Sequence, residues 1–181
     1  MEIAVYCGAN KGKQKIYEEA AISLGNWIVE NNNSLVYGGG KVGLMGAVAD
    51  AVLAAGGQAI GVIPTFLQKK ELAHPRLTKL YVVDSMSERK QKMASLAQAF
   101  IALPGGPGTL EEISEMVSWT RVGQNPYPCI FFNVANYYAP LEKMFDEMVL
   151  QGFLSAEDRK QILFSESLTE IAAFIKTYKP L

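Results

Sequence analysis

Two short stretches gather the residues able to do chemistry on a phosphorylated substrate. In "ALPGGPGTLEE", Ala102 to Glu112, a strand-like run passes through Gly105, Gly106 and Gly108 into a segment of helical period that begins near Thr109. Strand, glycine loop and helix start together present unpaired backbone N–H groups to an anion, and glycines let a phosphate approach them. The Thr109 hydroxyl adds a donor. The loop lacks the lysine of a Walker A sequence and the spacing of a GxGxxG fingerprint. In "SMSERKQKM", Ser85 to Met93, Arg89 and Lys90 sit close to a helix start. Cations there oppose the helix dipole, so acids, solvent or a ligand phosphate must compensate them. Glu111, Glu112 and Glu115 crowd the helix after the glycine loop. A carboxylate in that place is repelled by a bound phosphate unless it has another task.

Each feature also has a plain structural reading. Thr109-x-x-Glu112 ahead of an apolar stripe is a capping box. Arg89 and Lys90 also fit a solvated helix face, with Glu88 and Lys92 as an i,i+4 surface pair. Glu115, one turn beyond Glu112, reads as dispensable. A third stretch, "LVYGGGKVGLMGAVAD", places Gly38, Gly39, Gly40 and Gly43 between a short apolar run and a helix-like one. Glycine loses the most backbone freedom on folding, so the cluster needs a steric reason. The reason read here is that a nucleotide, or the loops around it, lies directly on backbone. Met45 in the same stretch reads as packing.

The elements that must position these residues alternate along the chain. Strand-like runs are "EIAVYC", "SLVY", "QAIGVIP", "LTKLYVVD", "AFIALP" and "YPCIFFNV". Between and after them lie helical segments, beginning with Ile16, Ala20, Leu24 and Ile28 at a spacing of four. Val42 to Ala55 is rich in small residues, Met86 to Ala97 and Thr109 to Arg121 carry the charged motifs, and Tyr138 to Leu150 and Leu168 to Tyr178 follow. Apolar strands separated by helices predict an α/β fold, a Rossmann-like three-layer sandwich on a mainly parallel sheet, as one domain over 1–181. In such sheets ligands bind beyond the carboxyl ends of the strands, where the glycine stretches fall. The segment from Pro64 to Thr78 has no clear period and reads as a lid or subunit contact.

Bulk properties narrow the function classes. Lys and Arg number 17 against 18 Asp and Glu, a balance that gives no support to nucleic-acid or anionic-membrane binding. No run approaches a membrane span, and the N-terminus has no basic leader, so a cytoplasmic protein is expected. Cys7 and Cys129 read as buried free thiols. His74 is the sole histidine and no ligand cluster surrounds it, so no metal is expected. There is no Gly-x-Ser-x-Gly elbow. Tyr137 and Tyr138 read as ordinary loop-to-helix aromatics.

The three glycine- and charge-bearing stretches, with "YCGANKG", "GVIPTFL" and "ELAHP" in the same order, resemble the LOG ("lonely guy") family of cytokinin-activating phosphoribohydrolases, long labelled lysine decarboxylases. The likeness runs from Ile3 to about Phe153. It implies hydrolysis of the N-glycosidic bond of adenosine 5′-monophosphates, preferably N6-modified, to free base and ribose 5-phosphate. It implies no cofactor, redox or pyridoxal, and a homodimer or larger assembly with sites near the subunit boundary. Arg89 and Glu112 fall on the family's catalytic pair; Lys90, Gly105 to Thr109 and Glu111 fall on nucleotide-binding positions, and Glu71 on a further substrate-contacting acid. Pro107 stands where an aromatic is usual, Ala9 and Asn10 where serines are common, and Ser87 where a histidine is frequent. A molybdenum-cofactor carrier of the same fold and glycine loop gives the alternative, a non-catalytic nucleotide- or cofactor-binding protein.

Overall fold

A computed structural model describes residues 1–68 and 72–181. The first half of the chain lays down β1 (Glu2–Tyr6), α1 (Lys15–Glu30), β2 (Ser34–Tyr37), α2 (Gly43–Ala54), β3 (Ala59–Pro64), a short α3 (Thr65–Gln68) and β4 (Lys79–Val83). The second half supplies α4 (Met86–Leu96), β5 (Ala99–Ala102), α5 (Pro107–Arg121), β6 (Cys129–Phe132), a 3-10 turn (Val134–Asn136), α6 (Ala139–Leu150), α7 (Ala156–Lys160), β7 (Ile162–Ser165) and α8 (Leu168–Thr177). The strands form one parallel sheet in the order β4-β3-β2-β1-β5-β6-β7. The chain walks outward from β1 to β4, and α4 returns it to the other side of β1. This reversal opens a crevice beyond the carboxyl ends of β1 and β5.

The strands do alternate, but both faces are apolar and so the alternation is hidden in the sequence. Ile3, Val5 and Cys7 of the first strand and its exit pack with Leu24, Ile28, Val48 and Ile171 on the face covered by α1, α2 and α8. Ala4 and Tyr6 pack with Met93, Ile113, Met116 and Phe145 on the face covered by α4, α5 and α6. Burial on both faces is what a parallel sheet demands, because its crossovers place helices on both sides. The six expected strands are all present. A seventh, β7, is no shorter than β2, β5 or β6 but is only partly buried, and so lacks the unbroken buried run that marks them.

The small-residue helix α2 packs against α1 of its own chain. A Cβ on Gly25 would come within 2.7 Å of the Ala51 side chain and 2.8 Å of the Val48 carbonyl. Its small residues therefore serve this intrachain approach. Between Pro64 and Thr78 the described residues give α3 and a single antiparallel bridge, Gly40 to Ala73. There the His74 N–H donates to the Gly39 carbonyl (2.8 Å). Glu71 lies outside the described residues. Among those described, no helix is long and apolar enough to cross a membrane.

Candidate active site

The glycine loop and the exit of β1 are held together by backbone. The Gly8 N–H donates to the Pro104 carbonyl (3.1 Å), and the Leu44 N–H donates to the Gly8 carbonyl (3.0 Å). Gly105 is required by this crowding: a Cβ would lie 2.2 Å from Thr109 Oγ1 and 2.9 Å from the Gly8 nitrogen. Gly106 and Gly108 face open space instead. Above the loop is a cavity of about 390 Å³. Gly105, Gly106, Gly108 and Thr109 line one side, Arg89, Glu111 and Glu112 another, and Leu44, Met45 and Met86 form an apolar wall.

Helix α5 begins earlier than its sequence suggests, and that decides the role of Glu112. Gly106 is the N-cap, without any side-chain cap, and Pro107 occupies the first turn. Proline there sacrifices an N–H that has no helical partner anyway. Thr109 therefore lies inside the first turn and Glu112 in the second, so the capping-box reading of this pair does not hold. A Ser-x-x-Glu cap close to that box, its carboxylate reaching the residue before the N-cap, is found one helix earlier. Ser85 caps α4 by accepting from the Glu88 N–H (3.1 Å), and the Glu88 carboxylate accepts from the Asp84 N–H (3.0 Å). Helix α5 keeps the N–H groups of its first turn, Gly108 and Thr109, at the cavity wall, the geometry that binds an anion.

Arg89 and Glu112 face each other across the cavity floor, with Arg89 Nη2 3.6 Å from Glu112 Oε1 and both side chains about nine-tenths buried. Neither Arg89 Nε nor Glu112 Oε1 has a hydrogen-bond partner among the described residues. A solvated surface for Arg89 is thereby excluded. Gly38 makes the guanidinium's position possible, since a Cβ there would lie 1.9 Å from Arg89 Nη2. Burial holds the Glu112 carboxyl above the usual carboxylate range; Arg89 pulls it back down, and Glu111 pushes it up again.

Lys90 turns away from the cavity wall. Its ammonium pairs with Glu111 and lies 3.2 Å from Glu115 Oε2, tying α4 to α5 beside the Arg89–Glu112 pair. The Glu111 hydrogen bond raises the Lys90 pKa, so it stays cationic. Glu115, expected to be dispensable, is half of this tie. Lys92 lies over the Tyr81 ring (4.5 Å) and Glu88 serves the α4 cap, so the proposed Glu88–Lys92 pair does not form.

The other glycines are pressed by protein. Gly39, with φ +74, fits between Ile63 and Leu80, Gly40 against Met45, and Gly43, with φ +64, against the backbone of Ala9 and Asn10. Neither these three nor Gly38 lines the cavity. Of the two readings for the cluster, neighbouring groups on bare backbone is the one the geometry gives. Met45 both packs on Gly40 and lines the cavity.

Two residues set aside as ordinary aromatics prove to brace the glycine loop. The Tyr137 hydroxyl donates to the Gly105 carbonyl (2.6 Å), and the Tyr138 hydroxyl to the Leu103 carbonyl (2.7 Å). Their distance along the chain from the loop hides this in the sequence; the paired hydroxyls were the available signal. His74 is buried, accepting from the Arg76 N–H at Nδ1 and facing Asp50 through Nε2 (3.2 Å). No cluster of metal-ligating side chains occurs among the described residues. Cys7 and Cys129 are free and buried, and burial raises both thiols, Cys129 to about 12.

The chain resembles characterised proteins over nearly all of its length. A family described as "Possible lysine decarboxylase" matches residues 45–175. The cytokinin riboside 5′-monophosphate phosphoribohydrolase LOG7 of Arabidopsis thaliana is 43% identical over 178 residues, covering 98% of this chain and 82% of the relative. The probable cytokinin riboside 5′-monophosphate phosphoribohydrolase LOGL2 of Oryza sativa subsp. japonica is 42% identical, covering 98% and 73%. Among solved structures, the molybdenum cofactor carrier protein of Chlamydomonas reinhardtii shares the fold, with a TM-score of 0.73 at 19% identity over 97% of this chain and 95% of that one. A decarboxylase that worked through pyridoxal would need a dedicated lysine in the site; the lysine that lines the cavity, Lys11, is paired with Glu18 (2.6 Å), and Lys90, off the cavity wall, is committed to Glu111 and Glu115. With a family match over most of its length and relatives above 40% identity, the chain belongs to the LOG family of phosphoribohydrolases, the family whose model still carries the name of a possible lysine decarboxylase.

Proposed function

We propose that this protein hydrolyses the N-glycosidic bond of adenosine 5′-monophosphates, preferably N6-modified ones, releasing the free base and ribose 5-phosphate. The observation that carries the proposal is the buried Arg89–Glu112 pair set beside an uncapped helix start in one cavity. The first-turn N–H groups of α5 grip the 5′-phosphate, and that grip sets the ribose C1′ against Glu112. As the C1′–N bond breaks, its electron pair leaves with the base and positive charge builds on the ribose. The ionised Glu112 stabilises that charge and accepts the proton of the water whose oxygen bonds C1′. Arg89, always protonated, steadies the negative charge on the departing base, which then takes up the proton that Glu112 accepted from the water, leaving the carboxylate ionised again. The apolar wall of Leu44, Met45 and Met86 suits an alkylated base.

The deciding assay is chromatography of purified protein incubated with AMP and with N6-isopentenyladenosine monophosphate. Free base is expected from both, faster from the prenylated substrate. Nucleotide bound with no base appearing would establish the carrier reading instead. Identity above 40% to phosphoribohydrolases supports the enzyme, whereas the carrier likeness at 19% identity speaks to fold alone.

The reading extends to assembly and location. A homodimer is proposed in which α4 lies close to the partner, supported by the exposed apolar side chains of Val82 and Met86 just before and at the start of that helix and Leu110 on α5. Sedimentation of micromolar protein should give twice the chain mass of 19.8 kDa; monomer alone would refute this. The two unpaired buried thiols suit a reducing, cytoplasmic setting.

A further inference from the structure

We infer that Tyr137 is a positioning residue for the anion-binding loop, its hydroxyl locking the peptide between Gly105 and Gly106 in one orientation. The inference rests on reading the cavity as a 5′-monophosphate site. A peptide flanked by glycines on both sides is the easiest in a chain to turn over, because no Cβ opposes the coupled rotation about it. At Gly106 the space that a Cβ would fill is open, so packing on that side supplies no restraint. No described peptide is cis, so the Gly105 carbonyl and the Gly106 N–H point in opposite directions. Whatever holds that carbonyl therefore also aims that N–H.

Four successive carbonyls of the loop are each held, and two of the four depend on tyrosine. Leu103 O accepts from the Tyr138 hydroxyl, and Pro104 O from the Gly8 N–H. Gly105 O accepts from the Tyr137 hydroxyl, and Gly106 O from the Leu110 N–H. The peptides into Pro104 and Pro107 carry no N–H, so the held carbonyls that also aim an N–H are those of Pro104 and Gly105, which fix the Gly105 and Gly106 N–H groups. The Gly105 carbonyl is the one of these that lies between two glycines.

Tyr137 is itself rigidly placed. It follows two residues with left-handed φ, Ala135 (+52°) and Asn136 (+57°), a conformation costly for residues that carry a Cβ. The turn is secured on both sides: the Asn136 N–H donates to Glu166 Oε1 (2.9 Å), and the Tyr138 N–H donates to Asn133 Oδ1 (2.6 Å). The Tyr137 ring stands edge-on to Tyr17 (5.8 Å) and to Tyr138 (5.0 Å). Removing the hydroxyl alone thus leaves the ring's packing in place.

The test is calorimetric binding of AMP and of adenosine to the wild-type chain and to Tyr137→Phe, with thermal melting to establish that the variant is folded. AMP affinity should fall about five- to tenfold, the loss of one hydrogen bond, while adenosine affinity stays within about twofold. In turnover kcat/KM for AMP should fall by about the same five- to tenfold factor. Equal AMP affinity in variant and wild type overturns the inference, and so does equal weakening of AMP and adenosine, which would mean a general loosening of the cavity. A wild-type chain that binds no AMP overturns the nucleotide reading itself, and this inference with it.

Discussion

Glu112→Gln is expected to lower kcat and kcat/KM together by about 10²–10³-fold, on the order of 3–4 kcal/mol of transition-state stabilisation, with KM little changed. The amide matches the acid in size but cannot carry the charge that a cationic ribose requires. The same substitution should change stability in a pH-dependent way. Burial raises the Glu112 pKa above its ordinary 4.5 in the folded chain, so the folded state resists ionising this group more than the unfolded state does. Below the unfolded pKa the group is protonated in both states and contributes nothing. As pH rises through the unfolded and then the folded pKa, wild type is progressively destabilised, and the glutamine variant is not. The variant's melting temperature should therefore gain on wild type as pH rises above the ordinary carboxylate value of 4.5, and the gain should level off once the folded carboxyl has ionised. A parallel pair of melting curves would refute a raised Glu112 pKa, and near wild-type turnover would end its catalytic assignment.

Gly38→Ala should be almost as damaging as Arg89→Ala, although Gly38 does not line the cavity. The new methyl would lie 1.9 Å from Arg89 Nη2 and 3.2 Å from Met45 Sδ, both belonging to flexible side chains. Gly38 is outside the left-handed region, so alanine is not strained there. The backbone accepts the change and the guanidinium moves. A fall in kcat/KM of about 10²–10³-fold is expected, with a melting temperature close to wild type. Combining Gly38→Ala with Arg89→Ala should add almost nothing, because both remove one interaction. Kinetics of the two single variants and the double variant check this; full additivity would show that Gly38 acts elsewhere.

Much of the fold was legible because the forces that set it are local or periodic. The spacing of Ile16, Ala20, Leu24 and Ile28 marks one helix, though Ile16 itself proves exposed. The apolar runs ending at Cys7 and Pro104 announce parallel strands, and their order places the glycine loops at one edge of the sheet. Arg89, Glu112 and the loop from Gly105 to Thr109 stand out by residue type and spacing, and one cavity does bring them together. What the sequence could not decide was which groups meet across the fold. Whether Thr109 or Gly106 caps α5 depends on where the helix begins, and helix starts are soft in sequence. Lys90 and Glu115 look like surface charges until α4 and α5 are laid side by side. Tyr137 and Gly105 are 32 residues apart, and only the strained turn before the tyrosine carries its hydroxyl to the loop. Gly38 is the plainest case. Its lack of a side chain signals a close approach, but only the tertiary structure shows that the approaching group is the guanidinium of Arg89, because a missing Cβ records that space is needed and not what fills it.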